Sequence, residues 1–118
     1  MAASVKRIST HVLDTSRGLP AANMEVRLQR QQSPGRWLDL ASSRTDKDGR
    51  CAQLFPEGQA FREGTYRLIF QTAPYYIGQK TKGLYPVIEI TFQVRAGESH
   101  LHIPLLLSPN GYTTYRGT

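Results

Sequence analysis

Residues 88–94 read Ile-Glu-Ile-Thr-Phe-Gln-Val, a segment in which apolar and polar side chains alternate. Successive side chains of a β-strand point to opposite faces, so this pattern is typical of a strand with one face buried and the other in water. A similar alternation occurs in residues 26–29 and 66–71, and turn-forming clusters rich in Gly, Pro, Asp and Asn separate such segments. The spacing predicts an all-β chain, an antiparallel sandwich of about seven or eight strands, with a brief helix or coil over residues 75–80.

The chain is short and carries a single cysteine. Its 118 residues suffice for one domain, which we expect to span residues 1–118. Cys51 alone excludes an internal disulfide framework, and residues 1–7 are polar and mixed, without the apolar segment of a secretory leader. These features predict an intracellular protein of a reducing compartment, which is the cytoplasm or, in a eukaryotic cell, the peroxisome.

The formal charge is +6, from 15 Lys and Arg against nine Asp and Glu. A basic surface raises the question of nucleic-acid binding. The basic residues are scattered, however, without a Lys/Arg run, an aromatic RNA-binding motif or zinc-finger spacing. We therefore expect no nucleic-acid partner. We also expect no membrane partner, because the longest apolar run, around residues 105–107, is far too short to span a bilayer.

Residues 101–107, Leu-His-Ile-Pro-Leu-Leu-Leu, break the half-buried pattern because both faces of the predicted strand are apolar. Pro104 confines such a strand to a sheet edge or to an irregular position. An edge strand with a second apolar face needs a cover, and another copy of the chain is the cover we expect. This predicts an oligomer with His102 near the subunit interface. A loop of the same chain is the alternative cover.

Two histidines and an arginine are the candidate catalytic residues. His11 shares a partly polar strand face with Ser9, and Arg50 follows the tight turn of residues 46–49, from which a long side chain reaches over a sheet edge. Together with His102 they form a hydrolytic set, because a neutral imidazole takes a proton from water and an arginine neutralises an oxyanion. Scattered histidines also serve as surface or hydrogen-bonded core residues, so the pattern alone leaves both interpretations open.

Three further readings concern metals and thiol chemistry. His11, His100 and His102 could form a three-histidine zinc site with water as the fourth ligand, which the spacing permits but does not require. Residues 46–49 resemble the opening of a calcium loop but lack the glutamate expected further on, which favours a plain turn. Cys51 lies on an alternating strand, a position typical of a small buried hydrophobe rather than of a nucleophile.

The last four residues, Tyr115-Arg116-Gly117-Thr118, place an aromatic ring, a guanidinium and a carboxylate where chains usually fray, which predicts that this tail forms part of a site. This tail, together with residues 9–14, 45–50, 84–86 and 102–109, resembles the 5-hydroxyisourate hydrolases, the transthyretin-related enzymes of purine breakdown. That family ends in Tyr-Arg-Gly-Ser, whereas the hormone-carrying transthyretins share the sandwich but lack this ending and the histidine pair. Thr118 replaces the serine and keeps a hydroxyl group.

The resemblance implies an architecture, an assembly and a reaction. The architecture is a transthyretin-like sandwich of two four-stranded sheets with one short helix, and the assembly is a homotetramer, a dimer of dimers with active sites where the dimers meet. The reaction is the hydrolytic opening of 5-hydroxyisourate to 2-oxo-4-hydroxy-4-carboxy-5-ureidoimidazoline, on the route from urate to allantoin. No organic cofactor and no metal is implied. A non-enzymatic carrier of a small ligand and a zinc-dependent hydrolase are the alternatives on the same fold.

The resemblance also implies the site residues. We predict that His11, Arg50 and His102 are catalytic: one histidine deprotonates water, and the other holds the substrate or protonates the departing nitrogen. We assign the water to His11 and the substrate to His102, with Arg50 on the carbonyl oxygens. The predicted substrate-binding residues are these three and the tail residues Tyr115, Arg116, Gly117 and Thr118.

Overall fold

The computed structural model describes residues 6–118 and forms them into two β-sheets packed around one core, with one short helix. The predicted all-β sandwich is confirmed. Residues 1–5, which hold most of the polar start that argued against a leader, lie outside the described residues. In chain order the elements are β1 (Arg7–Asp14), β2 (Leu19–Pro20), β3 (Glu25–Ser33), β4 (Arg36–Arg44), β5 (Arg50–Cys51), β6 (Gly64–Phe70), α1 (Thr72–Gly78), β7 (Ile88–Val94), β8 (His100–His102), β9 (Leu105–Ser108) and β10 (Gly111–Thr114).

Strands β4, β3, β6 and β7 form, in that order, an antiparallel sheet, here termed the four-stranded sheet. Its strands carry the alternation seen in the sequence, and their register sets apolar residues of neighbouring strands opposite one another on the inner face. A slip of one residue would turn these side chains into water, so burial of this face specifies the register. The inner pairs include Val26 with Phe70, Leu28 with Leu68, and Tyr66 with Phe92.

The second sheet, here termed the site sheet, comprises β1, β2, β5, β8, β9 and β10. Its path is β10-β9-β1-β2, and β8 and β5 also pair with β1. Strands β8 and β9 are two halves of one strand, because both run parallel to β1 and only Ile103 and Pro104 separate them. Strands β5 and β2 pair with successive parts of β1 along its opposite edge. Four strands are predicted for this sheet. The sheet is four strands wide, but two of these strand positions are each divided into two segments, β8 with β9 and β5 with β2, which gives six segments.

The second half of the strand predicted at an edge or at an irregular position lies inside the site sheet. Strand β9 pairs with β1 on one side and with β10 on the other, so an edge position is wrong for residues 105–107, whereas β8 pairs with β1 and, within residues 6–118, has only the bridge to Gly117 on its other side. The irregular position that proline also allows is the one found. Pro104 lies in the break between β8 and β9, where its missing N–H removes no hydrogen bond from the ladder. The edge is occupied instead by β10.

The helix α1 begins earlier than the segment 75–80 suggested. Pro74 lies in its first turn, where a missing N–H leaves no intrahelical bond unmade. Tyr75 and Tyr76 are buried and join the core that the two sheets enclose. Within residues 6–118, no helix has both the length and the apolar character needed to cross a membrane.

Candidate active site

The outer face of the site sheet collects the predicted catalytic residues from three neighbouring strands. Strand β1 carries Ser9 and His11 on one face, two positions apart. The parallel pairing with β8 sets Ser9 opposite His102, and the antiparallel pairing with β5 sets His11 opposite Arg50. Directly opposed residues of paired strands present their side chains on the same face. The sheet therefore brings together two histidines and an arginine that are far apart in the sequence.

A cleft of about 220 Å³ opens on this face. His11 is not part of its lining but lies beside it, through the pairing with Arg50. A larger cavity of about 510 Å³ lies between β3 and α1. Its lining contains no histidine, so the chemistry of the side chains, rather than the volume, favours the cleft on the site sheet. The site cleft is lined by Arg7, Ser9, Thr10, Arg50, Ala52, His100, His102 and Thr118.

The imidazole of His102 is held on two sides. Its Nδ1 lies 2.8 Å from the hydroxyl oxygen of Ser9. The backbone carbonyl of His102 accepts a hydrogen bond of 2.8 Å from the N–H of Gly117, and a Cβ built on this glycine would fall 2.4 Å from Cδ2 of the ring. Burial lowers the pKa of His102, and the positive charge of Arg50 and the neighbouring histidines lower it further. The ring is therefore neutral at neutral pH, which is the form required of a proton acceptor or a neutral hydrogen-bond donor.

His11 is oriented by the turn that follows β4. Its Nε2 lies 2.8 Å from the backbone carbonyl oxygen of Asp48. The carboxylate of Asp46 shapes this turn by accepting hydrogen bonds of 2.9 Å from the backbone N–H groups of Asp48 and Arg50. Gly49 has a φ of 77° and lies so close to β1 that a Cβ would fall 2.4 Å from the carbonyl oxygen of Val12. The segment thus forms a tight turn whose carboxylate is engaged with its own backbone.

Arg50 begins β5 and is exposed. Its charge helps lower the pKa of Asp46, after the hydrogen bond from the backbone N–H of Arg50, which is the main cause. No carboxylate among residues 6–118 forms an ion pair with Arg50. The guanidinium is thus available to an oxygen of a bound molecule.

The tail divides between two surfaces. Thr118 lines the site cleft, and Gly117 forms a β-bridge with His102. Tyr115 and Arg116 instead line a groove beside β7, and Arg116 makes an ion pair of 2.7 Å with Glu98. Within one chain the structure therefore joins Gly117 and Thr118 to the site and leaves Tyr115 and Arg116 outside the cleft. Their contact with substrate stays a prediction.

The metal and thiol alternatives find little support in the arrangement of donors. Within the described range, no group of three or more His, Cys, Asp or Glu side chains is placed to hold a metal ion. The set of His11, His100 and His102 is therefore not arranged as a metal site. Cys51 is buried, and burial raises the pKa of its thiol. A buried thiol with a raised pKa is a poor nucleophile.

Sequence reasoning missed two contributors to the site, Ser9 and the backbone carbonyl of Asp48. Ser9 was noted only because it shares a strand face with His11. Its link to His102 depends on the pairing of β1 with β8, which the local pattern does not reveal. A backbone carbonyl carries no side-chain signal at all.

A two-layered sandwich with a histidine-lined cleft on the outer face of one sheet is the architecture expected of a transthyretin-like protein. The model of the HIUase/Transthyretin family matches residues 8–117. The chain belongs to this family.

Individual relatives agree with that assignment. The chain is 42% identical to mouse 5-hydroxyisourate hydrolase over 119 residues, covering the full length of both chains. The structure of Klebsiella pneumoniae 5-hydroxyisourate hydrolase matches with a TM-score of 0.81 and 32% identity, over 97% of this chain and 100% of the other. Sea bream transthyretin in complex with thyroxine matches with a TM-score of 0.86 and 31% identity, over 95% of each chain.

Proposed function

We propose that the protein hydrolyses 5-hydroxyisourate in the degradation of urate, as an enzyme that needs no organic cofactor. The observation that carries the proposal is the convergence of His11, Arg50 and His102 on one face of the site sheet. The mouse relative, 42% identical over its full length, is a 5-hydroxyisourate hydrolase. A carrier of small ligands has no chemical use for this combination of groups in one cleft.

The reaction begins with water. Asp48 offers a backbone carbonyl, which can only accept, so the Nε2 of His11 donates to it and carries the proton of the neutral ring. The Nδ1 of His11 then keeps its lone pair and takes a proton from the attacking water. The water oxygen forms a bond to the ring carbonyl carbon of 5-hydroxyisourate. The C–N bond of the cyclic amide breaks, and the departing nitrogen receives a proton, which opens the six-membered ring to the ureidoimidazoline product.

Two groups assist at the carbonyl. The guanidinium of Arg50, free of ion pairs within the described chain, binds the oxygen on which negative charge develops. Preorganised donors of this kind are worth about 3 to 4 kcal/mol at the transition state. His102, neutral because of burial and nearby positive charge, holds the substrate through its Nε2–H, and the departing nitrogen receives the proton that His11 took from the water. Thr118 lines the same cleft and closes it from the tail.

We propose a homotetramer, a dimer of dimers, as the active assembly. Several large apolar side chains remain exposed in the single chain and need a cover. Among them, Tyr112 on the edge strand β10 packs edge to face against Tyr85, with 5.3 Å between the ring centres. Contacts of Tyr115 and Arg116 with substrate belong to this assembly, since the single chain holds both outside the cleft. The exposed set is Leu19, Leu84, Tyr85, Val87, Tyr112 and Tyr115, with Ile77 on the helix.

We further propose that the protein acts in the cytoplasm, or in the peroxisome of a eukaryotic cell. A reducing compartment suits a chain whose cysteine, Cys51, is a free buried thiol.

The proposal is tested by generating 5-hydroxyisourate from urate with urate oxidase and following its ultraviolet decay with and without this protein. Strong acceleration over the spontaneous rate is expected. A folded protein that binds the compound but leaves its decay unchanged would refute hydrolysis. The second candidate, a ligand carrier, is favoured by the TM-score of 0.86 to the thyroxine complex of sea bream transthyretin. Saturable binding of thyroxine without any turnover of 5-hydroxyisourate would support it.

A further inference from the structure

We propose that Ser9 is a positioning residue for His102. Its hydroxyl donates a hydrogen bond to Nδ1 of His102, which keeps the proton of the neutral ring on Nε2. Ser9 is a buried polar residue, with 6% of its surface exposed, on the central strand of the site sheet. The consequence for catalysis rests on the hydrolase function proposed above, whereas the hydrogen-bond geometry does not.

The direction of the bond follows from the partners that each group has. The hydroxyl oxygen of Ser9 lies 2.8 Å from Nδ1 of His102, and this is the hydroxyl's one hydrogen bond within residues 6–118. If Nδ1 donated the proton, the hydroxyl hydrogen of Ser9 would have no protein acceptor within residues 6–118, which is costly for a residue that is only 6% exposed. If the hydroxyl donates, both groups are satisfied. The proton of the imidazole then lies on Nε2, the nitrogen that has no protein partner in the described chain.

The ring of His102 could adopt two orientations that differ by a half-turn, and Ser9 favours one of them. A rotation of the ring by half a turn would exchange Nδ1 with Cδ2. In the observed orientation Cδ2 lies against Gly117, where a Cβ built on the glycine would come within 2.4 Å of it. The flipped ring would leave the hydroxyl of Ser9 facing a carbon. Gly117 thus fixes the plane of the ring. Ser9 determines that Nδ1, and not Cδ2, faces its hydroxyl.

The two histidines of the site consequently have different free nitrogens. A backbone carbonyl engages Nε2 of His11 and leaves its Nδ1 as an acceptor. The Ser9 hydroxyl engages Nδ1 of His102 and leaves its Nε2–H as a donor. His11 thus presents a lone pair at Nδ1 and His102 presents an N–H at Nε2, and a carbonyl and a hydroxyl of the protein set this difference.

The first test is structural and needs no substrate. Long-range ¹H–¹⁵N correlation spectra of the full-length protein, with assigned histidine rings, report which nitrogen of His102 is protonated. We expect a protonated Nε2 and an acceptor Nδ1 in the parent protein. In the Ser9→Ala variant we expect both nitrogen shifts to move toward the average of two exchanging tautomers. A protonated Nδ1 in the parent protein, or unchanged shifts in the variant, would overturn the proposal.

The second test is kinetic. We expect Ser9→Ala to lower kcat roughly tenfold, the effect of one lost hydrogen bond, and Ser9→Thr, which keeps the hydroxyl, to restore it. The matched control is Ser108→Ala, which removes a half-buried hydroxyl of the same sheet that donates to the carbonyl of Gly111. We expect it to leave kcat unchanged. Full kcat in Ser9→Ala would remove Ser9 from catalysis, whereas an inactive parent protein with a protonated Nε2 would refute the hydrolase function and keep the positioning.

Discussion

The outer faces of the two sheets both carry arginines, but they differ in whether those arginines have acidic partners. On the four-stranded sheet, the arginines are matched: Arg27 pairs with Glu25 at 2.7 Å, and Arg67 lies 3.6 Å from Glu89 and 4.0 Å from the ring centre of Trp37. On the site sheet, Arg50 has no such partner among residues 6–118. The first face is a neutralised surface, and the second keeps its positive charge and its imidazole nitrogens for a bound molecule.

The difference arises from strand regularity. The four-stranded sheet has long strands on which an outward charge finds a partner along its own strand, as Arg27 and Glu25 do on β3, or on the next strand, as Arg67 and Glu89 do. The site sheet is assembled from short segments on both sides of β1, and its histidines are held by a hydroxyl and by a backbone carbonyl instead of by acids. Neutral partners orient an imidazole without charging it. The proposed function therefore uses the site sheet.

The largest expected effect comes from removing an imidazole of the site sheet. His11→Asn and His102→Asn should each lower turnover of 5-hydroxyisourate by about 10²- to 10⁴-fold, because the first removes the proton acceptor and the second removes the N–H that holds the substrate. The ultraviolet decay assay measures the loss, and circular dichroism verifies the fold. Gln29→Ala, on the outer face of the four-stranded sheet, should change neither. Full turnover in either histidine variant would exclude that residue from the mechanism.

Replacing the unpaired arginine should have the next largest effect. Arg50→Lys keeps the charge but loses the forked donor geometry, and we expect kcat to fall by about 10²- to 10³-fold, the usual result of removing an oxyanion donor. The same substitution on the other sheet, Arg27→Lys, should leave kcat unchanged. Equal rates for the two variants would show that the contrast between the faces has no catalytic meaning.

Gly117→Ala tests the contact between the tail and the site sheet. The new methyl group would fall 2.4 Å from Cδ2 of His102, so the ring must shift. We expect kcat to fall by about 10²-fold, the cost of a small misplacement of a catalytic group. Gly111→Ala is the control, since its Cβ would meet nothing closer than 3.7 Å. An unimpaired Gly117→Ala variant would mean that the tail does not position His102.

A smaller effect is expected in the titration of His102. Its pKa is lowered from 6.5 first by burial and then by Arg50, so the neutral ring should persist below pH 6.5. The unfolded chain binds the proton more readily, so stability should decline as the pH falls from 6.5 through the pKa of the folded state. Ring NMR titration gives the midpoint. Arg50→Gln should raise it, and an unchanged midpoint would show that the two groups do not interact.

The smallest effect is expected from chelation. The donors of the site sheet form no group of three that could hold a metal within the described residues. Dialysis against a chelator should leave the hydrolysis rate unchanged, with metal analysis before and after. A loss of rate that zinc restores would favour the metal-dependent reading of the site.

The sequence predicted most of the four-stranded sheet and part of the site sheet. The alternation in residues 66–71 and 88–94 determined which side chains are buried, because period two assigns faces directly. It did not determine neighbours. The pairing of β1 with β8, which joins Ser9 to His102, connects opposite ends of the chain and leaves no local signal. Pro104 allowed both an edge and a break, and only the packing of β10 beside β9 decided between them.

The tail shows the same limit. Beyond β10 the chain is irregular apart from the bridge at Gly117, so no periodicity told which way each side chain points. The structure sends Arg116 to Glu98 and keeps Thr118 at the cleft. The motif therefore predicted that the tail matters, but its composition could not divide the residues between two surfaces.

The parallel pairing of β1 with β8 and β9 has a consequence for the order of events in folding. His11 lies on β1 and His102 on β8, with Arg50 on β5 between them in the chain, so the candidate site forms only when both ends of the chain have come together. Contacts between distant segments form slowly because a large loop must close first. Regained activity during refolding therefore requires that the two ends have met and that the proposed tetramer has assembled, and it should lag behind the formation of the four-stranded sheet.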